Sequence, residues 1–336
     1  MTSDQMPPED LAAEARQTLQ SALYECKRVI VGQDAMLERV LVALLSGGHV
    51  LLEGVPGLAK TLTVRTLAQV LGGSFSRVQF TPDLVPADLV GTRIWRPDRG
   101  EFATELGPVF TNLLLADEIN RAPAKVQSAL LEVMQEYQVT IGGQAFPVPQ
   151  PFVVLATQNP IESEGTYALP EAQVDRFLFK LLVDYPAAQD EIAVLDRAIE
   201  PPETPREVVQ GADLLAYRAA VRAIYVDRDV KTYAVRLVDA TRNPATYGLV
   251  EEARAIEFGA SPRASISLVQ AGQALALLRG RAHVHRGDVR DLAPDVLRHR
   301  LVLSYDGLAD GVRPDDLVAA VLEAVPTRER ALTEVA

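Results

Sequence analysis

Two pairs of residues in this chain have the types and the spacing to hold and cleave a phosphoanhydride. The first is Lys60-Thr61, at the end of Gly54-Val55-Pro56-Gly57-Leu58-Ala59-Lys60-Thr61. A Gly-rich turn between a strand and a helix points backbone N–H groups and a helix N-terminus at an anion. Lys60 then reaches the β and γ phosphates as a point charge, and the Thr61 hydroxyl ligates Mg2+. The second pair is Asp117-Glu118, which closes the apolar run Leu113-Leu114-Leu115-Ala116. Magnesium favours carboxylate oxygens and retained waters, so Asp117 suits the ion beside Thr61. Glu118 is placed to polarise the water that attacks the γ-phosphate. A strand ending in Asp-Glu is commonplace by itself, and the upstream loop gives it meaning.

Three further side chains fit the same chemistry. Asn159 follows the strand-like run Phe152 to Gln158; its amide can donate to a phosphate oxygen and accept from the attacking water. Arg176 in Val174-Asp175-Arg176-Phe177 and Arg263 in Ser261-Pro262-Arg263 carry guanidinium groups, which stabilise charge on a transferring phosphoryl group even when supplied by a neighbouring subunit. Ala59 stands where such loops usually have Gly, and as the smallest residue with a Cβ it requires only a modest adjustment of the loop. His283 and His285 have no third ligand nearby and read as a solvated pair, while Trp95 reads as a packing anchor.

These residues need elements to position them. His49 to Glu53 has strand length, and Leu62 to Leu71 is apolar at helical spacing. Further strands are expected at 77–80, 112–116, 152–157 and 177–183, with a helix over 123–136. Strands alternating with helices predict an α/β fold with a parallel sheet covered on both faces. Ahead of it, residues 11–30 read as a helix that breaks at Val31-Gly32-Gln33-Asp34 before a second helix. The Pro- and Gly-punctuated connection between Phe80 and Asn112 reads as an insertion. Alternation of Tyr137, Val139, Ile141, Phe146 and Val148 about Gly142-Gly143 predicts a β-hairpin. Beyond Tyr185-Pro186 only helical patterns follow, over 187–199, 211–225, 230–241, 261–278 and 286–292, with the stiff connector Pro201-Pro202-Glu203-Thr204-Pro205 among them. A domain boundary is expected near 186.

Composition narrows the partners. With 33 basic and 45 acidic residues the chain carries −12, the wrong sign for a protein that neutralises a phosphate backbone, so nucleic acid is not the expected partner. No apolar run approaches the ~18 residues of a membrane span, and Met1 to Asp10 lacks the basic and apolar regions of a signal peptide. A cytoplasmic location without membrane insertion follows as the expectation. The single Cys26 agrees with a reducing compartment and reads as a packed or half-exposed thiol rather than a nucleophile.

The ordered set Gly54-x-Pro56-Gly57-x-x-Lys60-Thr61, Leu115-Ala116-Asp117-Glu118-Ile119-Asn120-Arg121-Ala122-Pro123, Ala156-Thr157-Gln158-Asn159-Pro160, Pro170-Glu171-Ala172-x-x-Asp175-Arg176-Phe177 and Ser261-Pro262-Arg263 resembles the MoxR family of AAA+ ATPases. The resemblance covers roughly residues 27 to 310. It implies an N-terminal tail and helix over 1–26, an αβα nucleotide-binding domain over 27–186 and an all-α lid over 187–336. It also implies a helix-2 insertion at 81–112 and a hairpin over 137–149 ahead of sensor 1. By the same resemblance ATP and Mg2+ are the cofactors, and residues 54–62, from Gly54 through Leu62, bind nucleotide. Lys60, Thr61, Asp117 and Glu118 are the Walker residues, with Thr61 and Asp117 on the metal; Asn159 is sensor 1, Arg176 the arginine finger and Arg263 sensor 2. The Val31-Gly32-Gln33 turn looks like the segment that meets adenine, and Arg121 is the other candidate for the finger. The implied assembly is a homo-oligomeric ring, a hexamer, coupling hydrolysis to remodelling or maturation of a client protein complex, with a partner carrying a von Willebrand factor A domain. Two alternatives stand beside it: a nucleotide-controlled switch with little turnover, and a motor subunit of a metal chelatase or nucleic-acid motor.

Overall fold

A computed structural model describes residues 8–55, 58–160, 165–199 and 203–327. Two compact units divide after Ala220, each with its own core.

The first unit opens with α1 (Pro8–Val29) and α2 (Asp34–Ser46), joined at Gly32, whose φ of 71° lies in the left-handed region that favours glycine. Alternation of short apolar strands with helices then builds one five-stranded parallel sheet from β1 (Val50–Glu53), β2 (Phe75–Gln79), β5 (Leu113–Asp117), β8 (Val153–Gln158) and β9 (Phe179–Leu182), in the spatial order β2-β5-β8-β1-β9. β1, β5 and β8 are buried along almost their whole length, as continuous apolar runs in a doubly covered parallel sheet should be. After β1 the chain passes through α3 (Lys60–Val70) to the far edge at β2, and steps back through β5 and β8 before a short helix, α6 (Glu171–Val174), leads to β9 on the other side. The crevice at the carboxyl ends of β1 and β8 is therefore the switch point at which open α/β sheets bind ligands. Under the sheet, α5 (Ala124–Glu136) packs Val126, Leu130, Leu131 and Met134 against Leu114, Val154 and Phe152 in one cluster.

Two hairpins leave this frame. The insertion after β2 is a short helix, α4 (Pro86–Val90), followed by an antiparallel pair, β3 (Gly91–Arg96) and β4 (Glu101–Leu106). At its base a Cβ on Gly107 would fall 2.3 Å from Leu89 O, and Gly91 has a φ of 98° with a Cβ position 2.3 Å from Glu105 O. Trp95 is no core anchor: it is 49% exposed and meets its cross-strand partner Phe102 edge-on, ring centroids 5.0 Å apart, on a pair of strands that is exposed along most of its length. The second hairpin, β6 (Gln138–Ile141) with β7 (Gln144–Pro147), turns at Gly142-Gly143, both with positive φ.

The stretch after β9 remains with the first unit. In α7 (Ala188–Ile199) Arg197 donates to Lys27 O, Val208 and Val209 donate backbone N–H groups to Val70 O, and in α8 (Gly211–Ala223) Arg218 donates to Leu44 O. These bonds explain why the compact division falls inside α8 rather than near 186, where strand signals end. Pro201 and Pro202 of the expected connector lie outside the described residues.

The second unit is built on α9 (Arg228–Arg242), α11 (Pro262–Leu278), α12 (Arg286–Leu297) and α14 (Pro314–Ala324), with short helices α10 (Glu252–Ala255) and α13 (Tyr305–Ala309). The Asp227 side chain caps α9, and Ser261 caps α11 by accepting from Arg263 N–H. Buried Asp288 accepts both arms of Arg281 at 2.6 and 2.5 Å, pinning α12 to the end of α11. One antiparallel ribbon, β10 (Ile256–Phe258) with β11 (Val302–Leu303), interrupts the helices; its strands are too short to give an alternation signal.

Candidate nucleotide site

At the carboxyl end of β1 only a glycine fits: a Cβ on Gly54 would sit 2.4 Å from Val183 O, where the chain leaving β9 passes. Gly54 N–H donates to Gln158 O at 3.3 Å, which ties the loop to β8. The loop ends at Ala59 in the left-handed conformation, φ 55° and ψ 18°. A residue with a Cβ spends roughly 1–2 kcal/mol there, which accounts for the usual preference for Gly at such a position. Ala59 also serves as the N-cap of α3 and has no side-chain oxygen, so no side chain caps the first-turn N–H groups and they remain suited to an anion. Lys60 Nζ donates to Gly54 O at 2.5 Å, folded back along the loop. Partial burial pushes its ammonium below the usual lysine range, opposed by the carboxylates of Asp117, Glu118 and Glu53.

Across the crevice, β5 delivers the two carboxylates into a dense set of donors. Asp117 Oδ2 accepts from Arg77 Nη2 at 2.6 Å and Nε at 3.2 Å, and its Oδ1 accepts from the Thr157 hydroxyl at 2.6 Å. Glu118 is left-handed, φ 57° and ψ 50°, a strained conformation of the kind that gathers at functional sites. Its N–H donates to Thr157 Oγ1 at 2.8 Å, and its Oε2 takes the Gln79 amide at 2.8 Å and Arg121 Nε at 2.7 Å.

Lys60, Thr61, Asp117, Glu118 and Asn159 share one cavity of about 450 Å3, with Gly54, Leu58, Ala59 and Leu62 on its loop side and Arg77, Gln79, Thr157 and Gln158 on its strand side. Asn159 is buried at the end of β8. Val55 and Gly32 do not line this cavity, and Pro56 and Gly57 lie outside the described residues. Arg176 is not brought to it either: it precedes β9 and its Nη1 donates to Leu131 O at 3.2 Å. Arg263 is exposed in the first turn of α11, in the second unit. His285 Nε2 lies 2.8 Å from His283 Nε2, and among the described residues no group of three or more His, Cys, Asp or Glu forms a metal centre.

Sequence reasoning missed Arg77, Gln79 and Thr157. Arg77 and Gln79 alternate on β2, so they share a face, and Gln79 pairs in register with Asp117. Polar residues two apart on a strand were the available signal, but the neighbour of β2 had to be known before they pointed anywhere.

This geometry has close counterparts. The profile of the ATPase family associated with various cellular activities (AAA) matches residues 49–179, and that of the AAA lid domain matches 251–322. Chaperone MoxR1 of Mycobacterium tuberculosis is 57% identical over 317 residues, 94% of this chain and 84% of that protein. Protein MoxR of Paracoccus denitrificans is 36% identical over 88% of this chain and 91% of its own length. The crystal structure of an ATPase candidate from Cytophaga hutchinsonii superposes with a TM-score of 0.91 at 44% identity, covering 96% of this chain and 98% of that one.

Proposed function

The chain belongs to the MoxR family of AAA+ ATPases, and on that premise we propose that it is a Mg2+-dependent hydrolase of ATP to ADP and phosphate. The observation that carries the reading is the convergence of Lys60 and Thr61 with Asp117, Glu118 and Asn159 around one cavity. Its oxygen donors, the Thr61 and Thr157 hydroxyls, the Asp117 and Glu118 carboxylates and the amides of Gln79, Gln158 and Asn159, are all hard, which suits an ion that prefers oxygen and keeps several of its waters. Thr61 and Asp117 would hold Mg2+, which supplies neutralisation of charge on the β and γ oxygens. The N–H groups at the start of α3 and the Lys60 ammonium bind and orient the phosphates. Glu118 takes the proton of the attacking water, and Asn159 orients that water against the γ-phosphate. Arg176 as a finger from the neighbouring subunit and Arg263 as sensor 2 complete the assignment.

The same reading places these subunits in a homo-oligomeric ring, a hexamer, in the cytoplasm, coupling turnover to remodelling of a client protein complex with a von Willebrand factor A domain partner. The naming of a relative as a chaperone supports it. Among the described residues no helix is long and apolar enough to cross a membrane. A second reading, a switch with slow turnover, is favoured by the Arg121 guanidinium and Gln79 amide, which occupy the Glu118 carboxylate and must yield before it meets a water.

Two variants separate binding from hydrolysis. Lys60→Ala loses ATP affinity, whereas Glu118→Gln binds ATP with Mg2+ and hydrolyses it at least ~100-fold more slowly. Fluorescent-nucleotide binding and single-turnover hydrolysis check both; near-normal turnover in Glu118→Gln removes Glu118 from the mechanism.

A further inference from the structure

The parallel ladder between β5 and β8 ends at the pair Ala116 and Ala156. One residue further on, where Asp117 faces Thr157, a side chain takes over the connection. Thr157 is 2% exposed, and its hydroxyl is used in both senses: Oγ1 accepts from Glu118 N–H at 2.8 Å and donates to Asp117 Oδ1 at 2.6 Å. A hydroxyl has a single proton, so the bond to the carboxylate fixes its direction and leaves a lone pair for the amide. We propose that Thr157 is a positioning residue of the hydrolysis site, its hydroxyl holding Glu118 in the left-handed backbone conformation and Asp117 in a single orientation.

The strain at Glu118 supplies the reason such a fastener is needed. A non-glycine residue at φ 57° persists only where its surroundings over-determine it; Arg121 N–H holds Glu118 O at 2.9 Å, Phe80 N–H holds Asp117 O at 2.8 Å, and Thr157 is the side chain that holds the Glu118 N–H between them. Without it the peptide relaxes toward ordinary φ, and the carboxylate leaves the place from which it reaches a water in the cavity. Asn159 lies two residues beyond Thr157 and lines the same cavity, so this hydroxyl also keeps the strand carrying Asn159 in step with the strand carrying Glu118. The inference rests on the reading of the cavity as a hydrolytic nucleotide site.

Thr157→Val keeps the shape and removes the hydroxyl. Its kcat should fall about thirtyfold, the scale set by leaving a buried N–H without a partner, while ATP affinity stays within about threefold. Mn2+ binding to the complex with a non-hydrolysable ATP analogue, followed by electron paramagnetic resonance, should weaken in the same variant because Asp117 loses its anchor. Thr157→Ser should restore most of kcat and the Mn2+ affinity. If Thr157→Val fails to fold, Thr157→Ser and Thr157→Ala decide, since both lose the methyl group and only Ser keeps the hydroxyl. Wild-type kcat in Thr157→Val, or equal losses in Ser and Ala, overturns the proposal. Glu118→Gln run in parallel separates the two levels: an inactive Glu118→Gln beside a normal Thr157→Val sinks only the role of Thr157, whereas an active Glu118→Gln removes Glu118 from the mechanism and with it the reading on which this inference rests.

Discussion

His49 shows how much a single residue outside the cavity chemistry can hold. Fully buried at the start of β1, it accepts from Val154 N–H at Nδ1, 3.0 Å away, so the proton sits on Nε2 and is donated to Met134 O at 3.1 Å. One neutral imidazole thus joins β8 to the end of α5, beside Tyr137 and Phe152. Burial, aided by the Arg218 charge and opposed by the bond to Met134, pushes its pKa down to about 4. In the unfolded chain the imidazole takes up a proton below its ordinary pKa near ~6.5, whereas in the folded chain it resists until about 4. The stability due to the neutral ring is therefore complete above that upper value and is lost as pH falls through the window, by about 3 kcal/mol. Urea denaturation at several pH values should show this decline, and His49→Gln should flatten it while lowering stability at pH 7. An unchanged slope in the variant assigns the acid sensitivity to other groups. The left-handed residues Ala59 and Glu118 belong to the same scale, since each places backbone strain beside the cavity that the sequence shows only as residue type.

Among the elements, the insertion between β2 and β5 depends on two glycines at its base rather than on a core of its own. Gly91→Ala adds a Cβ against Glu105 O in a backbone conformation that L side chains rarely adopt. We expect it to cost roughly 2 kcal/mol or more, confined to β3 and β4. Hydrogen exchange across residues 92–106 should quicken while ATP affinity is unchanged; a loss of nucleotide binding would mean the insertion supports the sheet directly. This element also marks where the sequence stopped being legible. β1, α3, β5, α5 and β8 are readable because each has a local apolar period of its own, and the 137–149 hairpin because Gly142-Gly143 sits between alternating residues. The β3–β4 pair carries exposed Arg93, Trp95 and Phe102 among prolines and glycines, so its two faces are not told apart by polarity. The cavity was legible as far as residues adjacent in sequence could give it. Arg77, Gln79 and Thr157 reach it only through strand neighbours and register, which are long-range pairings that no local period encodes.

For the whole molecule, the proposed ring makes one demand that a single chain cannot meet: Arg176 must serve a neighbour's site. Lys60→Ala and Arg176→Ala should each be nearly inactive, and mixing them should restore activity at interfaces that pair an intact site with an intact finger. If native mass spectrometry shows mixed rings and no turnover returns, Arg176 is a structural donor to Leu131 O and Arg121, already on Glu118, takes the role. The one cysteine has a bearing on how such rings can be followed. Cys26 is wholly buried along α1, and desolvation lifts its thiol to about 12, so in the folded chain it is neither reachable nor ionised. The native protein is thereby a blank background for thiol chemistry. A cysteine placed at Gly287, exposed in the first turn of α12 with helical backbone and nothing within 4 Å of a Cβ, would be the sole handle a maleimide dye finds, and a label there could report on each subunit of a working assembly without any other residue being replaced.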